Sequence, residues 1–359
     1  MKLFAIFSDF YIPYIFCGMN AIMYDDYELT ERDRIMLREL SVNSRVSFTK
    51  LAKITRCSVV TATKMLYRLT EKLDIRFTLE VDMDRLGLSD RHILAIKLNN
   101  VPDVGTLRDM FKQDVYAQDV YLTEGNFDLL IFAAADTPIN YTLWETDLAA
   151  KLSDYLPDLR PSEFVFPQLG YVPLNDSFVD FISEGLKTDK YDKQILRLLN
   201  GNCRVGYRDL SHKLGIKEDR IRYRLFRLMR KGIIRRFTIA VQNPGYGHLL
   251  SYFMRYKFCR GTTSNAFPQM RNHYMNEGTP IPALNYFPMI APLSGSYRSF
   301  GMVFDKDKKA SLYKGIKWHK SLLRQEQVTE KHAFVTAVIK GLLPLRNLDA
   351  SVNYRFIWK

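Results

Sequence analysis

The chain has 359 residues, of which 47% are hydrophobic and 25% charged, with a formal net charge of +13. That balance excludes a disordered chain and leaves room for two to four domains, each with its own core. Cys17, Cys57, Cys203 and Cys259 stand far apart, with no Cys-x-x-Cys pair and no Cys/His metal spacing. This excludes a zinc ribbon and points to a reducing cytoplasm, with no metal and no cofactor expected.

Leu3 to Tyr24 is apolar and aromatic but is interrupted by Asp9 and Pro13. It lacks the basic run and cleavage site of a secretory signal and is marginal for a membrane span. Residues 1–26 are therefore read as an N-terminal extension, with Met19 and Met23 as alternative starts and a membrane anchor as the weaker alternative. Residues 27–79 then read as three short helices. Thr30 and Asp33 form a capping signal ahead of Ile35, Leu37 and Leu40; Phe48 to Ile54 suits a second helix; Val59 to Leu73 buries Ala62, Leu66 and Leu69. A tight turn at Thr55 to Ser58 joins the last pair, which is the helix-turn-helix arrangement. The strand Phe77 to Val81 follows, and no hairpin wing is expected.

Residues 80–178 alternate differently. His92 to Leu98 reads as a strand and Val104 to Lys112 as a helix. Val115 to Leu122 and Asp128 to Ala134 form a hairpin around Glu124-Gly125-Asn126. Asn140 to Leu152 is a helix and Ser162 to Phe166 a closing strand, giving the β-α-β-β-α-β order of a ferredoxin-like unit.

Residues 179–238 return to the first pattern. Asp192 opens a helix, Tyr207 to Leu214 is a second stopped by Gly215, and Lys217 to Lys231 is a third with Ile221, Leu225 and Leu228 inward. The strand Phe237 to Val241 repeats Phe77 to Val81, with one extra residue between helix and strand. Residues 239–344 read as a divergent second β-α-β-β-α-β unit: Leu250 to Tyr256, a helix near Phe267 to Tyr274, strands near Ala283 to Ile290 and Phe300 to Phe304, a helix near Lys309 to Leu323, and His332 to Ile339. Residues 345–359 form a tail. The fold class is thus α+β, two tandem copies of a helix-turn-helix domain followed by a ferredoxin-like domain.

The duplication is explicit at an offset of 159 residues. Asp33, Leu37, Arg38, Leu40, Asn43, Arg45, Val46, Leu51, Leu66, Arg68, Leu69, Lys72 and Ile75 recur as Asp192, Leu196, Arg197, Leu199, Asn202, Arg204, Val205, Leu210, Leu225, Arg227, Leu228, Lys231 and Ile234. The positive charge follows the repeat. Leu29 to Leu79 holds seven Arg and four Lys against five acids, a net +6; Leu186 to Arg236 holds ten Arg and six Lys against five acids, a net +11. The remainder is slightly acidic. Charge confined to two helical units is the footprint of a polyanion partner, double-stranded DNA.

Asp192-x-x-Ile195-Leu196, Arg204-Val205-x-Tyr207-x-x-Leu210 and the Arg-rich third helix ending Lys231-Gly232-Ile233-Ile234-Arg235 resemble the leucine-responsive (Lrp/AsnC) regulators of archaea and bacteria. Leu122 to Leu130 is similar to that family's effector hairpin, in which a Gly and an Asp three residues on are typical. The resemblance spans residues 27 to 340 as two copies in one chain. It implies a transcription regulator, with an amino acid or similar effector at Glu124, Gly125 and Asp128, and an intramolecular pseudo-dimer in which the two effector sheets pack on each other. Two such chains associating further is a second expectation. In the second copy Gly295 matches Gly125 and Arg298 stands where Asp128 would be, which argues against a conventional effector site there.

A helix-turn-helix reads DNA with its third helix. In the second head Lys217, Arg220, Tyr223, Arg224 and Arg227 are expected to face outward. The first head offers Ser58, Thr61, Thr63, Lys64 and Arg68. Arg45 and Arg204, just before the second helices, are expected to grip the backbone, and Arg208 is a further DNA-binding candidate. The stronger grip is expected in the second head. Two other readings stay open. One is an architectural, chromatin-like DNA binder. The other is an enzyme similar to siroheme decarboxylases, which pair two such halves, with His248, His273, His319 and His332 as candidates. RNA binding has no aromatic sheet motif to support it.

Overall fold

A capping box opens the described part of the chain. In the computed structural model the Thr30 hydroxyl accepts the Asp33 amide, while the Asp33 carboxylate accepts the Thr30 amide at 3.0 Å. The structure describes residues 29–82, 84–88, 90–156, 162–165, 189–241, 248–255, 289–292, 299–305, 307–312, 316, 320, 329–340 and 343–344. Expectations for residues 1–26, the helix near Phe267 to Tyr274, most of the strand near Ala283 to Ile290, the Gly295 to Arg298 turn and the 345–359 tail lie outside these residues.

The cap starts α1 (Glu31–Val42); α2 (Phe48–Thr55) and α3 (Val59–Leu73) follow, capped by the Ser47 and Ser58 hydroxyls. Their inward residues, among them Leu37, Leu40, Leu51, Ala62, Leu66 and Leu69, are buried at the helical spacing. Next come β1 (Ile75–Val81), β2 (Asp90–Ile96), α4 (Val104–Phe111), β3 (Ala117–Gly125), β4 (Leu129–Ala135), α5 (Pro138–Lys151) and β5 (Ser162–Val165). A second three-helix unit repeats the first as α6 (Lys190–Gly201), α7 (Tyr207–Leu214) and α8 (Glu218–Arg230). Then follow β6 (Ile234–Val241), β7 (His248–Arg255), β8 (Met289–Pro292), β9 (Ser299–Asp305), α9 (Lys308–Leu312), β10 (Thr329–Lys340) and β11 (Leu343–Pro344). No described helix is long and apolar enough to cross a membrane.

The two three-helix units interlock. β1 and β6 pair antiparallel with Thr78 opposite Thr238, Phe77 opposite Ile239 and Leu79 opposite Phe237. Thr78 and Thr238 are equivalent residues, 160 apart because of the one-residue insertion, and the flanking pairs exchange equivalents, Phe77 for Phe237 and Leu79 for Ile239, so the ladder reads alike from either strand. A pseudo-twofold axis therefore runs through the Thr78–Thr238 pair. α1 packs on β6 and α6 on β1, so each unit's first helix rests on the other unit's strand. The strand after each third helix is consequently spent on the other unit, and β11 extends the same small sheet beside β6.

The larger sheet has the order β5-β2-β4-β3-β10-β7-β9-β8. In each half the order is fourth, first, third, second. β10 joins the halves: Thr329 to Phe334 pair with β7, and Ala333 to Lys340 pair with β3. α4 and α5 cover one face of the first half through Leu107, Phe111, Tyr141, Trp144 and Leu148. The opposite face, carrying Ile93, Tyr121, Leu130 and Phe132, shares a core with Leu249, Phe253 and Met302 of the second half. Phe127 and Phe253 meet edge to face with ring centroids 5.5 Å apart.

Two backbone positions decide local stability. The helix-turn-helix corner is left-handed at equivalent places, φ 52° at Arg56 and φ 65° at Gly215. A side chain with a Cβ adopts that region at a cost of about 1 kcal/mol, so the first corner is strained where the second is not. At the seam Gly125 has φ +148°, and a Cβ there would lie 2.6 Å from the His332 carbonyl oxygen. Arg56→Gly is expected to raise the free energy of unfolding by up to about 1 kcal/mol, read from a denaturant titration. Gly125→Ala should cost roughly 1–3 kcal/mol and speed amide exchange at Asn126, whose N–H donates across the seam to His332.

Candidate nucleic-acid interface

The arginines before the second helices hold the two heads together. Arg45 Nη1 donates to the Cys203 carbonyl at 2.8 Å, and Arg204 Nη1 donates to the Ser44 carbonyl at 2.6 Å. Each guanidinium also lies over two rings, Arg45 over Tyr207 and Phe237 at 5.1 and 5.2 Å, Arg204 over Phe48 and Phe77 at 5.0 and 5.4 Å. The Ser44 amide donates to Phe237 O and the Cys203 amide to Phe77 O, so the exchange is reciprocal. Ser44 Oγ sits 2.9 Å from Cys203 Sγ at the centre of this contact. Burial pushes the Cys203 thiol up to about 11, which keeps it protonated and unreactive. Arg45 and Arg204, expected to grip DNA backbone, are each half-buried and engaged in the contact between heads.

Three more expected DNA readers are tied to acids. Arg68 bonds Asp33 and Arg227 bonds Asp192, the same pair in each copy, and both aspartates are fully buried beneath their helix caps. Arg224 bonds Asp189 at 2.6 Å and Asp192 at 3.0 Å and lies over the Tyr191 ring at 5.2 Å. Burial alone would raise the Asp189 pKa. Arg224 and the amides of Asp192 and Tyr191 outweigh it and hold the carboxyl below its ordinary value. These arginines brace the third helix against the first. Arg68 is exposed while bonded to Asp33, and Arg224 and Arg227 are half-buried against their acids; helical periodicity says which face a residue occupies but not what stands opposite. Arg235 and Arg236 are likewise spent, on Asp82 at 2.8 Å and on buried Glu80.

What remains open to a polyanion is a smaller set. In the first head Ser58 caps α3 by accepting the Thr61 amide at 3.1 Å, and the Thr61 hydroxyl is 2.9 Å from Ser58 Oγ. The Thr63 hydroxyl donates back to Val59 O at 2.8 Å, and Lys64 is exposed. In the second head Lys217 and Arg220 are exposed at the start of α8, Arg208 is exposed on α7, and Tyr223 is exposed beyond them. Arg222, not singled out from the sequence, bonds Glu218 at 2.6 Å and lies over Tyr207. Sequence reasoning also missed Tyr67 and Phe226. They are exposed at equivalent places, and the signal was available in the repeat, where an aromatic recurs on the outward face.

The expected effector residues have structural duties. Asp128 accepts the Leu98 amide and the Lys97 ammonium, both at 2.8 Å. Gly125 lets β10 approach β3. Glu124 is exposed, 3.8 Å from Lys308 Nζ. His248 lies edge-on to Phe334 with centroids 6.1 Å apart, and burial lowers its pKa, with Lys308 adding to the effect. Burial also lowers His332, whose backbone pairs with Asn126. His273 and His319 lie outside the described residues. Among the described residues no His/Cys/Asp/Glu group has a metal-binding arrangement.

Residues 188–235 match the family model for the winged helix-turn-helix DNA-binding domain. The second head is thus a helix-turn-helix DNA-binding unit. Over 59 residues the chain is 42% identical to the HTH-type transcriptional regulator Ptr1 of Methanocaldococcus jannaschii, covering 16% of this chain and 40% of that protein. Over 62 residues it is 39% identical to an HTH-type transcriptional regulator of Pyrococcus abyssi, covering 17% and 39%. The chain therefore spans about two-fifths of the length of these curated relatives. Among solved structures, the siroheme decarboxylase NirDL aligns over 88% of this chain and 95% of its own, with a TM-score of 0.54 and 13% identity, a likeness of fold.

The two groups of arginines separate in a single experiment. Arg45→Ala and Arg204→Ala should each cost about 1.5–3 kcal/mol of stability and expose the Ser44 and Cys203 amides to exchange. Arg220→Ala should leave the unfolding midpoint within about 0.5 kcal/mol of wild type. Equal effects of all three on stability would show that the contact between heads carries no such weight.

Proposed function

We propose that the chain is a DNA-binding transcription regulator of the Lrp/AsnC type, working in the cytoplasm as two joined copies whose heads act as one pseudo-dimer. The observation that carries this reading is the start of α8. There the head that matches a DNA-binding model leaves Lys217 and Arg220 exposed at a helix N-terminus, with Arg208 exposed on the preceding helix. A helix N-terminus presents amide donors and positive potential to phosphate, and arginine side chains add base or phosphate contacts. The first head supplies Ser58, Thr61, Thr63 and Lys64, a weaker surface, so the second head leads binding. Two ferredoxin-like halves then form the effector region. The Asp128 carboxylate already has two donors, so regulation by an amino acid or similar molecule would involve Glu124 or the β3–β10 seam. Further self-association of the chain belongs to the same reading. An architectural DNA binder uses the same surface without sequence preference.

A siroheme decarboxylase-like enzyme is the second reading, favoured by the whole-chain likeness to NirDL. His248 and His332 lie on the same face of paired strands β7 and β10, since His332 pairs with Tyr252 and His248 is four residues from Tyr252. Against it, the heads keep free cations that such an activity does not use.

Binding of the full chain to genomic duplex fragments across a salt series tests both. Affinity should fall steeply with salt, and Arg220→Ala should weaken binding by about 1–3 kcal/mol if it reads a base. An enriched motif that survives higher salt supports a regulator, and uniform retention supports the architectural form. Retention of no DNA, with a tetrapyrrole absorbance band on added iron-porphyrin, would replace the proposal with the enzyme.

A further inference from the structure

The third helices carry most of the large apolar side chains that the described surface leaves open. Nine such residues are exposed, and six of them stand on α3 and α8: Val59, Val60, Tyr67, Tyr223, Phe226 and Met229. Tyr67 and Phe226 are 70% and 63% exposed and occupy equivalent places in the two heads. On α3 the outward stripe runs Val60, Lys64, Tyr67 at steps of four and three; on α8 Tyr223 and Phe226 continue the same line from the positions matching Lys64 and Tyr67. Aromatic and branched side chains held in water on one helix face, twice over, mark a contact surface. The cations beside them, Lys64, Arg220 and Arg230, set the charge of what is contacted.

A helix lying in the major groove meets base edges that are hydrogen-bonding groups with one exception, the thymine C5-methyl. Phe226 can offer that groove only apolar contact, and Tyr67 offers the same ring face with a single hydroxyl at its tip. We infer that the exposed apolar stripes of α3 and α8 select DNA by packing against thymine methyl groups, with Tyr67 and Phe226 as specificity-determining residues. The inference rests on the DNA-binding reading and adds to it what the groove must contain. The cations hold the backbone and any guanine; the stripe chooses where the helix settles. An acidic protein surface would answer the cations but has no reason to present apolar groups at matching spacing to two heads.

The test removes the methyl groups alone. A pool of random duplexes of about 30 base pairs is enriched by retention on the full chain, then resynthesised with deoxyuridine for thymidine. Pairing and the minor groove are unchanged; the major groove loses its methyls. Each contacted methyl that is lost should weaken binding about fourfold, so the uracil pool should bind at least tenfold more weakly. The double variant Tyr67→Ala, Phe226→Ala, checked for folding by circular dichroism, should bind both pools alike, while Phe226→Leu keeps most of the methyl dependence. Equal affinity of the wild-type chain for the two pools overturns the inference and leaves DNA binding intact. Failure to retain any duplex overturns the DNA-binding reading itself. The wild-type comparison needs no variant, so a misfolded mutant does not blunt it.

Discussion

The heads depend on two guanidinium groups that donate across the pseudo-twofold axis. The Ser44 and Cys203 carbonyls sit just past their first helices, where backbone acceptors have no helical partner. Arg204 and Arg45 supply donors from the opposite copy, and the flanking rings shield them. Arginine suits this place and lysine does not. Its planar cation stacks on two ring faces while still pointing an N–H at an oxygen, and it is weakly hydrated enough to enter a half-buried contact. Each such bond to a charged donor contributes about 1.5–3 kcal/mol. Once it forms, the β1–β6 register follows, because Ser44 and Cys203 also donate to Phe237 and Phe77. The orientation of both third helices is then set by one shared framework.

Much of this framework was legible in the sequence, though not its purpose. The inward faces came from periodicity: Ile221, Leu225 and Leu228 are buried, as the three- and four-residue steps require. Gly215 as a helix terminus came from glycine's freedom at positive φ. The ion pairs of these arginines were not legible, because an outward position on a helix says nothing of an acid 35 residues away. Yet the repeat held the clue. Asp33 and Arg68 recur together as Asp192 and Arg227, and an acid and a base preserved at one spacing in both copies point to a pair rather than to a ligand. Gly125 posed the same difficulty in another form. Its need is imposed by β10, more than 200 residues downstream, and no local pattern reports a strand that arrives from there.

Some framework positions recur in both heads and others do not, since Met65 stands where Arg224 braces the third helix. Arg45 matches Arg204, Asp33 matches Asp192 and Arg68 matches Arg227. The outward matches are Ser58 with Lys217, Thr61 with Arg220 and Lys64 with Tyr223, all different. The Asp33–Arg68 and Asp192–Arg227 pairs and the two crossing arginines are thus common to both heads, whereas the outward residues differ. The surplus charge divides in the same way. Much of the second head's extra arginine neutralises acids of its own framework, so net charge overstates the surface offered to a polyanion.

The two heads are not held to exact symmetry. In a symmetric dimer every substitution appears twice, and a change at the axis meets itself. Here the axis is occupied by Ser44 against Cys203, two different side chains 2.9 Å apart, a contact that no self-paired residue reproduces. The corner turn differs too, strained at Arg56 and relaxed at Gly215. The heads therefore differ at the axis and at the corner as well as on the outward faces of their third helices, so the shared arginine contact holds together two units that are alike in framework but not identical in it.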